Sequence, residues 1–325
     1  MNAHDRQTGL TMVELMVALA IGSFLVVGAV QIYSQSRHYF QINESIARVQ
    51  ETAQFAMNTI EADLRMASNW GRMSRSLAIE GRALPGDDNP TGLAAVPGDC
   101  GTRWVLDLAL PVDGENNAFT LPCAAQGGAQ AQSDLITVRR ASTAPQAPQA
   151  GTLQLQTTRV QAQLFDDGNE PFPIDPADPS PPTTHDLMVS SYYVSQESDL
   201  IPGIPTLRRK MLVVGGGVST ITDQEVAPGV ENLQIQLGID VDDDNAVDRY
   251  VNPGDEIYDP SAAGYLPGAR VISARIWLVV RGLDREVGLN DPRNYTPGDV
   301  DLGVFNDDQR RLQVSKTILL RNSRT

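Results

Sequence analysis

Apolar residues dominate the chain from Leu10 to Val30, and from Leu15 onward in that run no side chain is charged. As a helix the stretch spans roughly 30 Å, about the thickness of a bilayer's hydrocarbon core. One acid, Glu14, stands inside it, five residues after Gly9. A carboxylate in lipid costs on the order of 2–3 kcal/mol, less near the membrane surface, so such a charge marks a function and a partner. The plainer reading is a signal-anchor with its acid at headgroup level.

The helical pattern continues past Val30. Tyr39, Ile42, Ile46, Val49, Ala53, Ala56 and Ile60 recur at alternating spacings of three and four, one apolar face of an amphipathic helix. Glu44 with Arg48, and Glu61 with Arg65, stand four apart with the acid first, the favourable order. No proline precedes Pro85, and no glycine lies between Gly28 and Gly71. One helix from about Thr11 to about Asn69 is predicted, roughly 90 Å long. Its stripe would pack on a sheet, a role that small Ala53 and Ala56 suit, or pair in a coiled-coil homodimer.

After Gly71 the pattern turns to short alternating runs between turn residues. Strands are predicted over 104–110, 133–139, 151–163, 187–195, 206–214, 230–240, 271–281 and 312–321. No second long helix is evident. The fold class is therefore α+β: a long N-terminal helix and a mainly antiparallel β domain. Asp166-Asp167-Gly168-Asn169-Glu170, followed by six prolines up to Pro182, predicts an exposed acidic insertion at about 165–186. Gly215-Gly216-Gly217 lacks the third glycine of a dinucleotide fingerprint and reads as a loop.

Composition narrows the function. The chain has 325 residues, 41% of them hydrophobic, and a net charge of −15, which argues against a general nucleic-acid surface. Lys210 and Lys316 are the only lysines, and Arg208-Arg209-Lys210 reads as a solvated strand edge. The three histidines include His38 on the long helix; there is no His-rich metal set and no Gly-x-Ser-x-Gly elbow, so no enzyme is indicated and no catalytic residue nominated. Asp240, Asp242, Asp244 and Asp248, with the Ala246 carbonyl, stand at relative positions one, three, five, nine and seven, a spacing that suits Ca²⁺. Asn245 replaces the usual glycine and Val251 the terminal glutamate, so an acidic hairpin turn is the other reading.

Gly9 followed by Leu10-Thr11-Met12-Val13-Glu14-Leu15-Met16 resembles the processing signal of type IV pilins and type II secretion pseudopilins. The departure is Leu10, where that class more often has Phe. Pro228-Gly229-Val230-Glu231-Asn232-Leu233-Gln234-Ile235-Gln236 with Asp248-Arg249-Tyr250, and the strand after Arg270, are similar to the minor pilin family PilW. The resemblance implies a leader over 1–9, cut by a prepilin peptidase between Gly9 and Leu10, with Leu10 N-methylated. It implies a helix over 10–70, membrane-spanning and later filament core over 10–30, and an exported β-rich domain over 71–325. Glu14 would neutralise the amine of a neighbouring subunit and so set register. Partners would be other minor pilins, the major pilin and the inner membrane before assembly, with the pilus tip as final location. The implied role is priming of pilus assembly; a tip adhesin and a type II secretion pseudopilin are the alternatives. In an exported domain Cys100 and Cys123 are expected to form a disulfide worth about 3 kcal/mol.

Mass spectrometry of the mature protein is expected to find an N-terminus at methylated Leu10. An intact leader or an unmethylated start would contradict the processing assignment.

Overall fold

The computed structural model describes residues 9, 11–85, 87, 92–94, 100–175 and 178–323. Contacts divide the chain into two units, up to Arg48 and from Val49 onward. The first unit consists, among its described residues, of Gly9, Thr11 and the start of α1, a helix that runs Met12–Met66. Its apolar side chains are exposed from Met12 to Phe40, Phe24 by 81%. The run is long and apolar enough to cross a membrane.

The second unit begins with Val49. From here the predicted stripe is buried: Val49, Ala53, Ala56 and Ile60, joined by Met57 and Leu64. The helix stops three residues short of the predicted Asn69, with Ser68 in the left-handed region. The Ala67 carbonyl just past its end accepts from the Asn322 amide at 3.1 Å. A stop signal supplied from the far end of the chain cannot be read from local sequence.

Among the described residues fourteen strands follow: β1 Ile79–Glu80, β2 Val112–Glu115, β3 Leu135–Ala141, β4 Gln154–Thr157, β5 Ala162–Phe165, β6 Thr183–Ser195, β7 Thr206–Gly215, β8 Val218–Pro228, β9 Val230–Asp240, β10 Arg249–Val251, β11 Arg270–Arg281, β12 Asn294–Tyr295, β13 Gly303–Val304 and β14 Arg311–Leu319. An eight-stranded sheet has the order β1-β5-β4-β6-β3-β2, with β7 on β6 and β8 on β7; a four-stranded sheet has the order β10-β9-β11-β14, and β12 pairs β13. Every pairing is antiparallel except β1 with β5.

One core joins the buried half of α1 to both large sheets, through Ile136, Val138, Tyr192 and Leu207 on one and Leu233, Ile235, Ile276 and Leu278 on the other. The helix packs on sheet as predicted. A second core holds Trp70, Ile79, Leu155, Leu164, Leu187, Val189 and Leu212 together with Trp104, Val105 and Leu106. The eight-stranded sheet is thus covered on both faces, since Leu187 and Val189 of β6 belong to one core and Tyr192 and Val194 to the other.

Two strand predictions need correction, and β8 and five short strands, β1, β2, β10, β12 and β13, were not predicted. Residues 104–110 are not a strand: Gly101–Leu106 is a short helix, α2, and Trp104, Val105, Leu106 and Leu108 are all buried. With apolar residues on both sides, period alone could not separate the two forms. The single strand over 151–163 is two strands, β4 and β5, because the Thr158 hydroxyl accepts from the Val160 and Gln161 amides and turns the chain. β8 was missed although it is rich in β-branched residues. Gly215-Gly216-Gly217 is the predicted loop, with Gly216 at φ 62 and Gly217 at φ 83, closing the β7–β8 hairpin.

The acidic insertion is the β5–β6 connection. Its described part is tied down: Gln156 exchanges hydrogen bonds with the Phe172 backbone, and Glu170 accepts from Thr184 at 2.7 Å. Pro176 and Ala177 lie outside the described residues.

Asp134 joins the two large sheets. Its carboxylate accepts from the Asn117 amide at 2.8 Å and from the Ile235 amide of β9 at 2.7 Å. Its own amide donates to the Leu233 carbonyl. Burial raises its pKa to about 7 despite those two amides, with Asp299 adding to the rise. The carboxyl is more easily protonated folded than unfolded, so its contribution is full below about pH 4 and is lost as pH rises through 7. Unfolding free energy is expected to fall by on the order of 3 kcal/mol between pH 4.5 and 8 from this group. Asp134→Asn should flatten that slope in urea titrations at the two pH values, whereas an unchanged slope would refute the assignment.

Candidate functional site

The processing motif comes first in the chain. Gly9 is exposed, and Leu10 lies outside the described residues. Glu14 is exposed in the first turn of α1 and closes a capping box that the sequence reading overlooked. Its Oε2 accepts from the Thr11 amide at 3.0 Å and from the Thr11 hydroxyl at 2.9 Å, while the Glu14 amide donates to Thr11 Oγ1 at 3.3 Å. The signal was present as Thr-x-x-Glu before an apolar run. In the single chain Glu14 therefore serves its own helix end.

Two further acids act at the other end of α1. Glu61 and Asp63 point to different sheets. Lys316 of β14 donates to Glu61, and Arg65 pairs with it from one turn on at 2.5 Å. These cations, Lys316 above all, hold the Glu61 carboxyl below its usual range. Asp63 accepts from Tyr192 of β6 at 2.6 Å and from Arg140 of β3 at 3.0 Å, and Arg209 of β7 stands 4.0 Å away. Burial, with Asp63 adding to it, pushes the Tyr192 phenol well up. The pair Glu61–Arg65 was legible as an i,i+4 spacing; the partners across the sheets were not.

The disulfide is formed between Cys100 and Cys123. It ties the start of α2 to the segment after β2.

The aspartate turn is largely self-satisfied. Asp240 is fully buried and accepts from the Asp243 and Asn245 amides. Asp242 accepts from Asp244 and Asp244 from Ala246. Asp240, Asp242 and Asp244 can bring one oxygen each within 4.8 Å of one another. Asp248 does not join them, since its carboxylate accepts from the Val241 amide at 2.7 Å. Arg270 pairs with Asp240 at 3.0 Å and with Asp243, placing a fixed positive charge against the cluster. Arg270 first among its pairing partners, with the two amides, keeps the Asp240 carboxyl below its usual range against the effect of burial.

Residues 191–322 match the family described as Type IV Pilus-assembly protein W, PilW, and residues 4–30 match the prokaryotic N-terminal methylation motif. The similarity to PilW thus covers the C-terminal part of the chain, and that to the methylation motif its N-terminal apolar run. Among solved structures, a type IV-like pilin from Thermus thermophilus is similar, with 11% identity, a TM-score of 0.36, and coverage of 86% of this chain and 99% of that one. No curated protein matches.

The PilW region runs from the end of β6 through β14, and two buried ion networks hold it together. Arg311, 3% exposed, pairs with Glu231 of β9 at 2.5 Å and with Asp307 at 2.6 Å, its guanidinium 3.8 Å above the Phe305 ring. Arg281 adds a contact to Glu231 at 3.3 Å. On β7 the predicted solvated basic edge is wrong. Arg208 is fully buried and Lys210 nearly so, both paired with Asp223 of β8 at 2.8 and 2.7 Å. Asp199 closes on Arg208 at 2.9 Å. The acids that neutralise this run lie nine to seventeen residues away and in a strand the pattern did not reveal.

Removing one partner of a buried pair leaves the other desolvated and unmet. Asp63→Ala should destabilise the second unit by about 3 kcal/mol, because it strands both Tyr192 and Arg140. Chemical denaturation of the full chain in detergent checks this; a loss under about 1 kcal/mol would remove Asp63 as an anchor.

Proposed function

We propose that this protein is a non-enzymatic minor pilin of the PilW family that helps prime type IV pilus assembly within a minor-pilin complex at the filament tip. One observation carries the reading: a methylation motif opens an apolar helix, and that helix ends locked by Glu61 and Asp63 to sheets of a PilW region.

In this reading the prepilin peptidase cuts after Gly9 and Leu10 receives the methyl group. The apolar run holds the subunit in the inner membrane with the β domain in the periplasm, and later enters the filament core. Glu14 pairs with the terminal amine of a neighbouring subunit. Both charges are costly alone in an apolar setting and tolerable together. Other minor pilins and the major pilin are the partners.

Deletion of the gene is expected to abolish surface pili, and Glu14→Ala to give processed, membrane-held protein that fails to restore them. Normal pili with lost attachment would favour a tip adhesin instead. Normal pili with lost protein export would favour a type II secretion pseudopilin.

A further inference from the structure

Within the second unit, a cleft of about 500 Å³ lies between the segment carrying Ser74–Ala78 and the segment from Tyr258 to Val271. Neither Glu14 nor the helix-docking acids line it. Its volume falls within the range of sites that bury a ligand of several residues or a small molecule. Most of the lining is apolar or aromatic, Leu77, Leu110, Pro111, Tyr258 and Tyr265 among it.

The side-chain charges that line the cleft are opposite in sign to the charge of the protein, and Arg75 is the one not met by an acid among the described residues. The chain carries 40 acids against 25 bases, yet the charged side chains in the lining are Arg75 and Arg270, with no acid among them. Arg270 is held from behind by Asp240 and Asp243. Arg75 is exposed, and no ion pair engages it among the described residues. A concave, largely apolar surface that also presents the exposed Arg75 fits a carboxylate carried next to an apolar side chain.

We infer that this cleft receives an acidic peptide segment, one carboxylate beside an apolar residue, presented by an assembly partner. A peptide is favoured over a saccharide because prolines, leucines, alanines and valines make up half of the lining and offer a sugar no side-chain hydrogen bond. Only the source of the peptide rests on the assembly reading; the binding chemistry does not.

The test uses the full chain in detergent and three fluorescent peptides, acetyl-Pro-Leu-Asp-Phe-amide and its Asn and Lys counterparts. The Asp peptide should bind saturably and at least about tenfold more tightly than the others, as expected for losing one charge-assisted contact. Arg75→Glu should weaken it by about tenfold or more, and Arg75→Lys by much less, with the unfolding midpoint unchanged in both. Equal binding of the Asp and Asn peptides, or full affinity in Arg75→Glu, would overturn the inference. So would saturable binding of an oligouronate without the peptide. Peptide binding together with normal pili in the deletion strain would keep the cleft and discard the assembly role.

Discussion

The structure of the second unit depends on α1 sharing one core with two sheets at once. Ala53 and Ala56 are almost fully buried and belong to the core that both sheets share. Ile60 and Leu64, both wholly buried, then fill the space on either side, each contributing roughly 2 kcal/mol of apolar burial. Apolar contact alone would leave rotation and sliding weakly defined, because it is non-directional. The two acids remove that freedom. Glu61 reaches β14 of the four-stranded sheet, while Asp63 reaches β3, β6 and β7 of the eight-stranded one. Their hydrogen bonds are directional and stand on different sheets, so together they fix the rotation of the helix about its axis.

The same economy of polar joints recurs where the sheets meet. Residues 132–134 lie along the part of β9 that β10 does not cover. There the Gln132 carbonyl accepts from the Asn232 and Gln234 side chains and Asp134 exchanges backbone and side-chain bonds with Leu233 and Ile235. An open strand edge is thereby occupied by the chain's own backbone. Further along, Arg311 draws Glu231 of β9 and Asp307 to the start of β14, and Arg208 and Lys210 draw Asp223 across the β7–β8 hairpin. Buried charges here are met on several sides, the condition under which they specify a fold rather than weaken it.

What could be read from the chain alone divides along physical lines. The helix was legible because its period is regular and unbroken over many turns, and β9, with bounds that match, because Leu233-Gln234-Ile235-Gln236-Leu237 alternates strictly. The Cys100–Cys123 bond needed only the inference of an exported domain. Where apolar residues face two cores, as at Trp104 to Leu108, alternation vanishes and α2 was mistaken for strand. The basic run at Arg208 to Lys210 was misplaced because its neutralising acids are remote in sequence. The aspartate turn shows a third limit. Its spacing names the oxygens, but not that Arg270, from another strand, would bind Asp240, nor that the backbone would engage Asp248.

Glu14 differs from all of these because its neighbours change during the proposed assembly. In the single chain its carboxylate satisfies two donors of Thr11, groups that a helix start otherwise leaves open. Engagement by a neighbour's amine would compete for the same oxygens. The gain from the new ion pair is then offset by whatever Thr11 loses, and the net attraction is smaller than the pair alone would give. A small net attraction still discriminates sharply between registers, since a subunit displaced by one turn leaves an amine unmet in apolar surroundings. The acid would therefore choose where a subunit sits, and the surrounding apolar surface of α1 would decide how strongly it stays.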